Sequence, residues 1–169
     1  MPFDNDISRI FASESTDNPY HCMKKLHHER EMKIYHGFVP CELKQGDECW
    51  RTGIFHFNIS RMIKDVECGV LAVIRERINV KEWFKAHGGG KIDEEYMPKV
   101  ELFRPVIQGE IRPGRFEIID GNHRMEKARQ EEIEYVDSYK LMGYQLSQYL
   151  CDKKGYRAYI EYWNDKLQG

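Results

Sequence analysis

The chain has 169 residues, 41% hydrophobic and 32% charged, which is a globular rather than a disordered composition. No apolar run approaches the roughly 20 residues a membrane-spanning helix needs, and the acidic start Met1-Pro2-Phe3-Asp4-Asn5-Asp6 lacks the features of a secretory signal, so a cytoplasmic protein without membrane partners is expected. Lys and Arg number 26 against 28 Asp and Glu, a formal net charge of -2, which disfavours a protein whose main task is to coat nucleic acid.

Asn18-Pro19 has the form of a helix start, a capping residue followed by proline, and predicts a short polar helix over about 19–32. Gly37, Pro40 and Gly46 then break the pattern, and 37–52 reads as loop. Residues 1–52 carry too few apolar side chains for their own core and are expected to form an N-terminal arm on one domain, 53–169. His21, Cys22, His27, His28, His36, Cys41 and Cys49 are zinc-ligating residue types. Their spacings match no finger or ribbon, so a solvated helix with free thiols is the preferred reading. Cysteines stand at 22, 41, 49, 68 and 151, an odd count without a CxxC pair, and are read as reduced.

Beyond the arm, 54–59 reads as a half-buried strand and the apolar run 69–74 as another. Residues 80–87 predict a short helix with Trp83 and Phe84 inward, stopped by Gly88-Gly89-Gly90, which reads as a linker. Asp93 is placed to cap a second short helix through Val100. Residues 102–108 read as a strand, Arg112-Pro113-Gly114 as a turn, and 115–119 as a strand ending at Asp120-Gly121. Asn122 is expected to cap a helix reaching about 132, followed by a strand over 135–141 and helices over 144–153 and 156–167. In the last of these, Tyr156, Tyr159, Ile160, Trp163 and Leu167 share one face, a stripe that predicts core packing.

The strand–turn–helix unit around Asp120 carries the chemistry. Glycine permits a tight turn, and the first amides of the following helix have no intrahelical partner and lie at the positive end of its dipole. His123 and Arg124 stand at that point. Free amides, an imidazole and a planar guanidinium together suit a phosphate. The same residues also fit a plain structural turn, with Asp120 and Asn122 as caps and Arg124 paired to Glu117 or Glu126.

The run from Phe116 to Ala128, with Asp120-Gly121-Asn122-His123-Arg124 at its centre, resembles the signature of the ParB/sulfiredoxin superfamily. There a strand ends in a Gly-x-His-Arg or Gly-x-Arg-Arg turn. The likeness covers roughly 66–155, with its specific part at 102–141. The resemblance implies a compact α/β (α+β) domain with a small mixed sheet and flanking helices that binds a nucleotide such as ATP, ADP or CTP. It implies phosphate contacts from Gly121, Asn122, His123 and Arg124, and a catalytic role for His123. Phosphoryl transfer needs a Mg²⁺ ion held by a carboxylate, and Asp120, beside the turn, is the expected metal ligand and catalytic carboxylate. In the family's kinase branch a glutamate base lies upstream of the turn, which points to Glu94 or Glu95. Two departures narrow the activity. Asn122 stands where sulfiredoxin has its catalytic cysteine, so that reduction is excluded. About 28 residues follow Leu141, too few for the DNA-binding domain of a partition protein. The leading expectation is nucleotide binding, with hydrolysis or phosphate transfer to a small molecule. The rivals are a nucleic-acid-associated module or nuclease, and a non-catalytic regulatory domain.

Overall fold

Residues 30–89 and 92–169 are described in the computed structural model. Strands β1 (Cys49–Thr52) and β2 (Phe55–Asn58) pair antiparallel, with Trp50 opposite Phe57. Asn58 then starts helix α1 (Ile59–Glu67), because its extended backbone lets its side-chain oxygen accept from the Arg61 amide. Ile59, Met62, Ile63 and Val66 follow at helical spacing and join the core. The helix ends at Gly69, whose positive φ of 70° is cheap only for glycine. The amides of Val70 and Leu71 turn back to the Asp65 carbonyl. The strand expected over 69–74 is therefore corrected: those bonds hold the chain at the helix end, and strand β3 covers Ile74–Asn79 instead.

Asn79 caps helix α2 (Val80–Ala86), as its side chain accepts from the Glu82 amide. The helix expected from Asp93 to Val100 reduces to a single 3-10 turn, Met97–Lys99. Pro98 is the reason, since it has no N–H to give the Glu94 carbonyl and its ring would crowd that group. Strands β4 (Val106–Arg112), β5 (Arg115–Asp120) and β6 (Tyr135–Leu141) complete a four-stranded mixed sheet of order β3-β6-β4-β5. The strand expected from 102 begins only at Val106. Central β4 is antiparallel to β5 and parallel to β6, and helix α3 (Asn122–Gln130) makes the crossover.

Adjacent residues of each strand face opposite sides of the sheet. Val106, Ile118, Val136 and Ile78 pack with Val80, Met125 and Ala128 of α2 and α3. Ile107, Ile119 and Leu141 pack instead with α1, β2 and the C-terminal helix. The mixed strands and helices make this an α+β fold, as expected.

The helix expected over 144–153 is split into α4 (Gly143–Leu146) and a 3-10 turn, Ser147–Tyr149. Leu150 bridges Phe57, and Cys151 donates to the His56 carbonyl, so this stretch serves as a strand fragment and not a helix. Asp152 caps the final helix α5 (Lys153–Gln168), whose stripe Tyr156, Tyr159, Ile160, Trp163 and Leu167 is buried. No helix among the described residues is long and apolar enough to cross a membrane.

The compact unit runs from Met32 to Gly169, so it begins well before the boundary expected at 53. Phe38 stacks on Tyr156 with ring centroids 3.8 Å apart, and Cys41 donates to the Leu150 carbonyl. These contacts draw the second half of the expected arm into the core. Cys41, Cys49, Cys68 and Cys151 are free thiols. The polar helix expected over 19–32, and with it His21, Cys22, His27 and His28, falls almost wholly outside the described residues.

Candidate functional site

Strand β5 ends at Asp120 and the chain reverses through Gly121, at φ 98°. A Cβ on Gly121 would stand 2.6 Å from Val106 Cγ1 and 2.8 Å from Arg124 Nη2, so only glycine fits. Gly121 itself occupies the N-cap position, and the capping role expected of Asn122 is corrected. Asn122 is the first helical residue, and its Nδ2 donates back to the Ile118 carbonyl at 3.3 Å. No side-chain oxygen closes the first amides of α3, which leaves them free to meet a ligand.

Arg124 is drawn to neither Glu117 nor Glu126. Its Nη2 donates to Asp120 Oδ2 at 2.7 Å and to the Pro105 carbonyl at 3.2 Å. Glu117 pairs with Arg115, and Glu126 with Arg129 and Gln130. The Arg124 side chain is 12% exposed, and its Nε is the one fully buried side-chain nitrogen or oxygen among the described residues that lacks a partner. His123 is held on the other side of the turn. Its Nε2 accepts from the Asp93 amide at 3.0 Å, which puts the ring proton on Nδ1, and Tyr96 packs edge-on against it.

A cavity of about 560 Å³ opens over this turn, with His123, Arg124, Gly121 and Asp120 in its wall. Lys99 and Arg104 add two cations, and Glu48 and Glu101 add two carboxylates. Lys99, Glu101 and Arg104 share one segment, Glu48 and Ser60 of α1 come from much earlier in the chain, and no local motif announces them. Glu94 and Glu95 are not brought to the cavity. They are exposed in the turn before the 3-10 segment, where the Glu95 amide donates to Asp93 Oδ1.

Asp120, Glu48 and Glu101 are hard oxygen donors of the kind magnesium takes when phosphate oxygens and waters complete its shell. Asp120 would have to exchange its bond to Arg124 for the ion. Among the described residues no group of three or more His, Cys, Asp or Glu is arranged as a ready-made metal site. A larger cavity, about 1060 Å³, lies at the opposite end of β5 and includes none of the expected site residues. Comparison with protein-family models, with curated proteins and with solved structures found no match for this chain.

Proposed function

We propose that the cavity at the β5–α3 turn binds the phosphate end of a nucleotide such as ATP, ADP or CTP together with Mg²⁺. Hydrolysis of the nucleotide, or transfer of its phosphate to a small molecule, follows as the activity. The single observation that carries this reading is the buried, unpartnered Nε of Arg124 in the wall of an open cavity beside uncapped helix amides. An orphaned guanidinium donor is costly to bury and gains most from an oxyanion.

In this reading the Gly121 turn and the amides of α3 take phosphate oxygens, and the His123 Nδ1–H donates one more hydrogen bond. Arg124 exchanges Asp120 for phosphate, and the released carboxylate is available to the metal. Lys99 and Arg104 neutralise the remaining charge. The magnesium ion would supply charge neutralisation and hold phosphate oxygens in place. The base role suggested for Glu94 or Glu95 is dropped, since neither lines the cavity; Glu101 is the carboxylate of that segment that does.

Thermal unfolding with ATP, ADP and CTP, each with magnesium, tests the reading. A ligand at about 100 times its Kd stabilises by roughly 2.7 kcal/mol, an upward shift of several degrees in Tm for a chain this size. Arg124→Ala, checked for fold by circular dichroism, is expected to lose that shift. No shift with any nucleotide, or an unchanged shift in Arg124→Ala, rules the reading out.

A further inference from the structure

The register of the β4–β5 hairpin sets Arg112 directly opposite Arg115. Like charges facing each other across an antiparallel pair repel and cost stability. Arg115 is partly relieved by Glu117, with Nε 3.3 Å from Oε1. Arg112 has no acidic partner among the described residues. Arg112 and Arg115 both line the larger cavity, of about 1060 Å³, together with Lys166 and Asp165.

Further lining residues are aromatic. Trp83 and His87 stack with centroids 3.7 Å apart and planes within 3°. The His87 ring has Nδ1 3.0 Å from the Trp83 carbonyl and Nε2 3.1 Å from the Phe116 carbonyl, and a neutral ring donates its one N–H to one of the two. Gln108 lines the cavity although it is only 2% exposed. Its Nε2 donates to Glu76 Oε1 at 2.7 Å and to Ser138 Oγ at 2.9 Å, which leaves its carboxamide oxygen as an acceptor without a donor. That unused acceptor belongs to a residue of the cavity lining.

We propose that this cavity is a second binding site, for a planar organic anion that carries an N–H or amino donor at the end away from its charge. The anionic group bridges Arg112 and Arg115, the ring lies along the Trp83–His87 wall, and the donor meets the Gln108 oxygen. An inorganic anion fits less well, since it brings neither a ring nor a donor. The inference does not rest on nucleotide binding at the other turn. β5 carries Arg115 at one end and Asp120 at the other, which separates the two sites by about 17 Å.

The test is a titration of the full chain with 4-aminobenzoate, followed by saturation-transfer NMR and by the Gln108 side-chain amide resonance. Benzoate lacks the donor and aniline lacks the charge. Saturable binding of 4-aminobenzoate is expected, at least tenfold weaker for benzoate, for aniline and for Arg112→Ala, and unchanged in Arg124→Ala. Should Arg112→Ala fail to fold, Arg115→Gln serves as the variant with the same expected loss. The proposal is overturned by an absence of saturable binding, by benzoate matching 4-aminobenzoate, by full affinity in the Arg112 or Arg115 variant, or by loss in Arg124→Ala.

Discussion

At the scale of single residues, Gly121 decides the geometry of the turn. Its φ of 98° is a conformation that L side chains rarely adopt, and the space a Cβ needs is already filled by Val106 and Arg124. Gly121→Ala therefore meets two costs at once, backbone strain of about 1–3 kcal/mol and a clash with the Val106 and Arg124 side chains. Urea unfolding of the variant is expected to show a loss of at least about 2 kcal/mol, with Arg124 displaced because its guanidinium touches the added methyl. A loss below about 0.5 kcal/mol would show that the turn relaxes freely and does not hold Arg124 in place. The Asp120–Arg124 pair fits the same picture. It joins the end of β5 to the first turn of α3 at 2.7 Å, yet it leaves the Nε unpartnered, an arrangement that satisfies the arginine only in part.

At the scale of elements, helix α1 supplies one wall of the candidate site, and Asn58 anchors it. The Asn58 side chain accepts from Arg61 N at 2.9 Å and donates to the Glu42 carbonyl at 3.2 Å and to Asp47 Oδ2 at 3.1 Å. One buried amide thus joins the helix start to the loop before β1. Removing a cap costs about 1 kcal/mol, and leaving buried groups unpaired adds about 1–3 kcal/mol. Asn58→Ala is expected to lower stability by roughly 2–4 kcal/mol in denaturant, and Asn58→Asp to restore the cap alone. An Asn58→Ala loss no greater than that of an exposed-surface alanine would refute the linking role.

The same element shows what could be read from sequence and what could not. β5, α3 and β6 were legible because their apolar residues alternate or recur around a glycine that only a turn explains. Helix α1 is also legible in principle, as Ile59, Met62, Ile63 and Val66 follow a capping Asn58, but the mixed run 54–59 has the pattern of one half-buried strand. The stretch 69–74 has the apolar, β-branched composition of a strand, yet Val70 is solvent-exposed. Of the candidate site, the turn residues were visible as one contiguous motif. Glu48, Ser60, Lys99 and Arg104 were not, since they reach the cavity only through tertiary packing and share no spacing.

At the scale of the whole molecule, both sheet faces are covered, and the tyrosines that close one of those cores make stability depend on pH. Tyr159 is 1% exposed and its hydroxyl donates to the Glu110 carbonyl at 2.9 Å. Tyr149 donates to Asp65 Oδ2 at 3.0 Å. Burial first, then the nearby carboxylates, push both phenols above the ordinary tyrosine range. Between the unfolded value near 10 and the raised folded value, the unfolded chain has lost these protons and the native chain still holds them. Unfolding then releases protons, so the stabilisation is complete below about pH 10 and is lost as the pH climbs beyond it. Each such tyrosine contributes a slope of at most about 1.4 kcal/mol per pH unit. Tyr149→Phe removes one of the two, so the stability difference between the wild type and this variant is expected to hold steady from pH 7 to 9 and to fall between pH 10 and 11.5. Urea midpoints measured across that range decide the matter: a difference that stays constant to pH 11.5 would mean that Tyr149 ionises as readily in the folded protein as in the unfolded chain.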